Sequence, residues 1–119
     1  MEEQLLHIQA ATSSKRLVCS TLARIDNTSH EALLDSGSTI SSISIDLVNS
    51  LNLPTSPTTQ IQVVFGDKQK AYQSSTQAHC TFFLAQHKFL HSFYVLSRQL
   101  FPMTLGCDWF IKNWSTTTF

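Results

Sequence analysis

Ala32-Leu33-Leu34-Asp35-Ser36-Gly37-Ser38-Thr39 constrains this chain more than any other stretch. An unbroken apolar run meets a carboxylate, a hydroxyl and a glycine. That order predicts a core strand ending in a tight polar turn, with Asp35 at the edge of the core. Gly37 allows a backbone conformation or a close approach that a Cβ forbids. The hydroxyls of Ser36, Ser38 and Thr39 stand near the carboxylate in sequence. Such a setting holds a carboxyl rigidly in partly apolar surroundings, where its pKa is open to tuning. Asp-Ser-Gly alone marks only a turn, because Asp and Ser cap turns and Gly supplies positive φ. The rest of the chain has to decide.

The 119 residues, 42% of them hydrophobic, fit one domain with a small core. Formal net charge is zero and 13% of residues are charged, so there is no electrostatic footprint for nucleic acid. No apolar run reaches membrane-spanning length. The acidic opening Met1-Glu2-Glu3-Gln4 has no apolar segment behind it, which predicts no signal peptide and a cytoplasmic location. Cys19, Cys80 and Cys107 are widely spaced and odd in number, fitting free, buried thiols in a reducing compartment.

Taken in order, residues 1–14 read as a lead-in and 15–119 as the domain. Arg16 to Ile25 predicts a strand with Val18 and Leu22 in the core, followed by a turn over Asp26 to His30. Glu31 to Leu34 returns and delivers Asp35. Ile40 to Ile43 predicts a short strand. Ser44 to Leu53 changes to helical period, with Ser44 as N-cap and Pro54 as stop. Thr55 to Thr59 reads as a polar loop. Gln60 to Phe65 and Ala71 to Ser74 form a hairpin about the tip 66–70. Gln77 to Leu84 and Phe89 to Leu96 form an aromatic-rich second hairpin around 85–88. Met103 to Gly106 is a short strand. Asp108 then caps a helix over Trp109 to Asn113, and Trp114 to Phe119 is a closing strand. Many short strands at hairpin spacing with two short helices predict an all-β barrel or sandwich.

His79, Cys80, His87 and His91 raise a zinc site. On a strand, His87 and His91 stand about 13 Å apart at about 3.3 Å per residue, too far for one ion. They read as surface histidines at a hairpin, and no metal or cofactor is expected. Phe82, Phe83, Phe89, Phe93 and Tyr94 read as core rather than as a stacking platform, since no basic stripe accompanies them.

These parts resemble, in order, a retropepsin, the aspartic protease of retroviruses and of Ty3/gypsy-type retrotransposons. The resemblance covers Arg16 to Phe119. Glu31-Ala32-Leu33-Leu34-Asp35-Ser36-Gly37 matches the apolar-apolar-Asp-(Thr/Ser)-Gly signature. Gln60 to Ser74 stands where the family has its flap, making Val64, Phe65, Gly66 and Asp67 candidate substrate-binding residues. Leu105-Gly106, followed by Cys107-Asp108-Trp109-Phe110, matches the second signature and is most like Ty3/gypsy elements. Ser36 replaces the commoner Thr, and the flap tip has one glycine where relatives often have more.

The resemblance implies an acid-protease barrel with one lobe per chain. Peptide hydrolysis by carboxylates needs two of them, one to take a proton from water and one to polarise the carbonyl. This chain has a single Asp-(Ser/Thr)-Gly. The implied enzyme is therefore a homodimer with Asp35 from each chain on the two-fold axis. Ser36 would bond across the axis and Ser38 would bond the outer carboxylate oxygen. Trp114 to Phe119 and part of the lead-in would interleave at the interface. The implied substrate is an extended peptide within a Gag-Pol-type polyprotein, met in the cytoplasm or in retroelement particles. Ile40, Ile43, Phe65, Phe101 and Met103 are candidate pocket walls. The competing reading is a retropepsin-like dimerisation or peptide-binding module with little or no proteolysis. An unrelated barrel with an incidental Asp-Ser-Gly is the third.

Overall fold

The computed structural model describes residues 18–64, 71–97, 99 and 101–114. The first two strands, β1 (Val18–Ile25) and β2 (Thr28–Asp35), form an antiparallel hairpin in which Ile25 pairs with Thr28. Asp26 makes the corner in the left-handed region, with φ 54°. Such a conformation suits Asp better than a β-branched residue. The turn is thus shorter than the run of turn formers predicts, and β2 begins at Thr28. Thr28 anchors it by donating from Oγ1 to the Ile25 carbonyl, 3.1 Å away.

The expected core residues of β1 are corrected. Val18 and Leu22 are 46% and 62% exposed, whereas Ala23 and Ile25 are buried. A strand has period two, so a shift of one residue exchanges its faces. Pairing of Ala23 with Leu84 and of Arg24 with Phe83 on a third strand sets the phase. Small Ala23 is what lets the sheet close there.

β3 (Ser42–Ser44) leads directly into α1 (Ile45–Leu51). The Ser44 hydroxyl accepts the Leu47 N–H at 3.1 Å, an N-cap as predicted. Asn52, at φ 54° and ψ 45°, ends the helix by a left-handed C-cap, two residues before Pro54 could. Leu47 and Val48 face the core.

β4 (Thr55–Val64) includes the stretch expected as a polar loop. It is the last strand in the sheet, so Pro57 loses no ladder bond on its free side, and the register slips between Pro57 and Ile61. β5 (Ala71–Leu84) is one continuous strand rather than two. Ser74, Ser75 and Thr76 sit within it because both edges are paired there or nearby, to β4 and β6. β6 (His87–Leu96) returns through a corner at Ala85, φ 55°. β7 (Met103–Leu105) and α2 (Cys107–Trp114) complete the described chain.

The sheet order is β1-β2-β7-β3-β6-β5-β4, and β1 also pairs with β5. β1, β2, β7, β3, β6 and β5 therefore close into a six-stranded barrel, and β4 extends from it as the outer arm of a hairpin. The barrel is filled by Phe82, Phe93, Ile43, Leu96, Met103 and Leu105, all under 2% exposed. Phe82 stacks on Phe89 and meets Phe93 edge-on, each with ring centres 5.7 Å apart. Phe82, Phe89 and Phe93 are core, as expected, whereas Phe83 and Tyr94 are only half-buried. Ile43 and Met103 are core as well, and so are not pocket walls. No helix among the described residues is long and apolar enough to cross a membrane.

Candidate active site

Asp35 is the last residue of β2, and β2 lies between β1 and β7. The β2–β7 pairing is parallel, with Leu34 opposite Leu105. Two strands leaving the barrel in one direction thus set Asp35 and Gly106 side by side, joining signatures that are remote in sequence. Asp35 is only 5% exposed. Its Oδ1 accepts the Gly37 N–H at 2.9 Å, and its carbonyl accepts the Ser38 N–H at 3.1 Å. Apolar burial on the strand side and a tight turn on the other hold the carboxyl in one place, as the sequence implies.

Gly37 and Ser38 depart from expectation. Gly37 has no positive φ. Its contribution is the amide that meets Oδ1. The Ser38 hydroxyl donates to the Ile40 carbonyl at 2.7 Å rather than to the carboxylate. A hydroxyl has one proton to donate, so it stiffens the turn instead. Ser36 is half-buried, and its carbonyl accepts the Cys107 thiol at 3.0 Å.

Gly106 is where a glycine is required. A Cβ there would meet the Ser38 carbonyl oxygen at 2.6 Å and press on the Ile40 carbonyl. The turn behind Asp35 crosses directly over it. Cys107 N–H then donates to the Ser38 carbonyl at 2.7 Å. The Gly106 carbonyl receives the Trp109 and Phe110 N–H groups at 3.0 and 3.1 Å and so opens α2. Asp108 lies inside the helix, not at its cap as predicted.

The Asp108 carboxylate instead reaches across to the chain beyond Asp35. Ser41 donates its N–H to Oδ2 at 3.0 Å and its hydroxyl to Oδ1 at 2.5 Å. The same Ser41 oxygen accepts the Gly106 N–H at 3.0 Å. Burial alone pushes the Asp108 carboxyl up, but the nearby His91 ring and the bonds from Ser41 outweigh it and hold it below its ordinary value. Burial, with Asp108 and Asp35 nearby, pushes the Cys107 thiol up.

Sequence reasoning did not assign Ser41, His91 or Gln99. Gln99 accepts the buried Ser42 hydroxyl at 2.7 Å and donates to the Phe101 carbonyl at 2.8 Å, tying the loop before β7 to β3. The available signal was the serine pair Ser41-Ser42 between Ile40 and Ile43. Hydroxyls in a core strand need partners. The hairpin histidines are also corrected: of the three, only His87 is exposed, His79 is half-buried between Ser56 and Ser92 at 2.8 Å each, and His91 is buried. Of the cysteines, only Cys80 is buried; Cys107 is half-buried and Cys19 exposed.

Val64 ends β4, opposite Ala71, at the root of the expected flap. Phe65, Gly66 and Asp67 lie outside the described residues, as do the lead-in and residues 115–119. A groove of about 900 Å³, lined by His30, Asp46, Leu47, Tyr72, Phe101 and Pro102 among others, lies apart from Asp35. Phe101 faces this groove. Among the described residues, no three His, Cys, Asp or Glu side chains converge to hold a metal.

The fold is similar to that of a solved protease. The EIAV protease, solved in complex with the inhibitor HBY-793, superposes with TM-score 0.57 at 18% identity, over 81% of this chain and 88% of that one. The simian foamy virus protease gives TM-score 0.49 at 19% identity, over 80% of this chain and 98% of that one. A Legionella pneumophila protein of unknown function, Lpg0085, gives 0.49 at 15%, over 77% and 83%. No curated protein matches the sequence. The model of the PEG10/RTL1 protease domain matches residues 31–118, from the strand that delivers Asp35 through both signatures. The chain therefore belongs to the PEG10/RTL1 protease-domain family and has a retropepsin-like fold.

Proposed function

We propose that the protein is a homodimeric aspartic endopeptidase in which Asp35 of each chain meets its counterpart on a two-fold axis. The observation that carries this reading is the buried Asp35 at the end of β2, one oxygen fixed by the Gly37 amide, in a retropepsin-like barrel. A single lobe presents a single such carboxyl, and a symmetric interface doubles it. In aspartic proteases, by long-established behaviour of that class, carboxylates about 3 Å apart cannot both ionise and so share a proton. The ionised Asp35 takes a proton from the attacking water. The protonated Asp35 of the partner polarises the scissile carbonyl and later passes its proton to the leaving amine. The Ser36 hydroxyl bonds the partner's backbone across the axis. The β4–β5 hairpin closes on an extended peptide, with backbone bonds for affinity and alternating pockets for specificity. The substrate class is a polyprotein junction of Gag-Pol type, in the cytoplasm or a retroelement particle.

Purified protein at high concentration, across acidic to neutral pH, should cleave a polyprotein-junction peptide. Asp35→Asn keeps the shape, removes the acid–base pair and should lower the rate by about a thousandfold or more. Sedimentation should show a dimer whenever cleavage is seen. A dimer that cleaves nothing would instead establish the dimerisation or peptide-binding module. Equal cleavage by both proteins would reject Asp35 as catalytic.

A further inference from the structure

We propose that Asp108 and His91 form a charged latch that positions the turn behind Asp35. His91 is 7% exposed, and neither ring nitrogen has a hydrogen-bond partner. Its Nε2 stands 3.5 Å from Asp108 Oδ2. The ring's other neighbour is Phe93, met edge-on with centres 5.2 Å apart. Burying an imidazole with both nitrogens unbonded is costly, and the facing carboxylate is the group that offsets a charge on the ring.

The other side of that carboxylate does the positioning. Asp108 accepts Ser41 at both oxygens and Trp109 N–H at 2.7 Å. Ser41 in turn accepts Gly106 N–H, and the next amide, Cys107, holds the Ser38 carbonyl. The chain of bonds runs from His91 in β6, through Asp108 and Ser41, to the residue three beyond Asp35. An ionised carboxylate accepts fully at both oxygens. Asparagine at 108 would offer one.

Two other titratable groups come from the same helix. Lys112 comes from α2, and its Nζ donates to the Leu90 carbonyl at 3.2 Å. Cys107 is beside Asp108, with Asp35 near the Cys107 thiol. The latch is complete only while the carboxyl is ionised and the ring protonated. Because the folded Asp108 carboxyl is held low, its stabilisation is present above the unfolded carboxyl's range. It is lost as pH falls through the folded value. The ion pair, unlike the packing around it, needs a charge on both partners.

The proposal rests on the protease reading only because the turn it positions carries Asp35, and its test needs no proteolysis. Urea unfolding of the parent, Asp108→Asn, His91→Phe and the double variant forms a double-mutant cycle. At about pH 5.5 the pair should couple by about tenfold or more in the folding constant, and at about pH 9 by less than about twofold. Coupling that is equal at both pH values would reduce the pair to packing. Coupling below twofold at both would remove it altogether. In Asp108→Asn, amide exchange at Ser41 and Cys107 should quicken about tenfold relative to Ala32. Unchanged exchange would overturn the positioning role. Should Asp108→Asn not fold, Ser41→Ala replaces it, with loosened Gly106 and Cys107 amides expected and unchanged ones refuting. Failure of both parent and Asp35→Asn to cleave peptide would reject the protease reading while leaving these measurements intact.

Discussion

Gly106→Ala gives the most direct test of how the site is assembled. The added methyl would stand 2.6 Å from the Ser38 carbonyl oxygen and against the Ile40 carbonyl. These are backbone atoms, so no side chain can swing aside. The turn behind Asp35 must lift away from β7 and α2. Overpacking of this kind costs about 1–3 kcal/mol. Lifting also strains the Cys107-to-Ser38 bond of 2.7 Å and the Gly106-to-Ser41 bond of 3.0 Å, each worth about 1 kcal/mol. Not both are lost in full, so the sum is about 2–4 kcal/mol. That lowers the folding constant by roughly 30- to 1,000-fold, since each 1.4 kcal/mol is tenfold. In a chain of this size Tm should fall by about 10–20 °C. Urea denaturation and thermal melting followed by circular dichroism both read it. Gly37→Ala is the control: Gly37 is exposed, has no positive φ, and should cost under about 1 kcal/mol. A Gly106→Ala protein within about 0.5 kcal/mol of the parent would show that the turn does not press on β7 as described.

Three further outcomes follow from the packing. Phe82→Ala removes a wholly buried ring that two other aromatics contact, and urea unfolding should show a loss of about 3–5 kcal/mol. Ser44→Ala deletes the hydroxyl that accepts Leu47 N–H and should cost about 1 kcal/mol by the same assay. Burial, helped by Asp26, pushes the Cys80 thiol up to about 11. Its folded value exceeds its unfolded one, so it contributes stability that is full below the unfolded thiol range and lost as pH rises toward 11. Cys80→Ala should flatten that alkaline limb, and a thiol reagent at pH about 8 should label Cys19 well before Cys80.

The parts of the fold legible in the sequence were those whose signals are local. Ser44 with the periodic run behind it specified α1, because a cap and a helical face both act within a few residues. Apolar Ala32 to Leu34 meeting Asp35-Ser36-Gly37 specified a strand and the turn that follows, since hydrophobic run and turn chemistry are adjacent. What failed was phase and continuity. The Val18 and Leu22 face of β1 could not be told from the Ala23 and Ile25 face, because the choice is made by pairing with β2 and β5. The serines and threonine inside β5, and Pro57 in β4, looked like breaks. Two flanking strands carry the first, and an edge position tolerates the second.

The site divides along the same line. The sequence by itself determined which carboxyl sits at a strand end, which glycines flank it, and that the two signatures belong to one retropepsin-like chain. Chemistry confined to a short peptide is written in its residue types. Only the tertiary structure decided that Gly106 lies under the Ser38–Ile40 turn, that Ser38 serves the backbone rather than the carboxylate, and that Asp108 reaches Ser41 beside a buried His91. Those relations exist because β2 and β7 run parallel at one register and the barrel brings β6 alongside β3. Strand register comes from the balance of all pairings and of the core they enclose. No short stretch contains that balance.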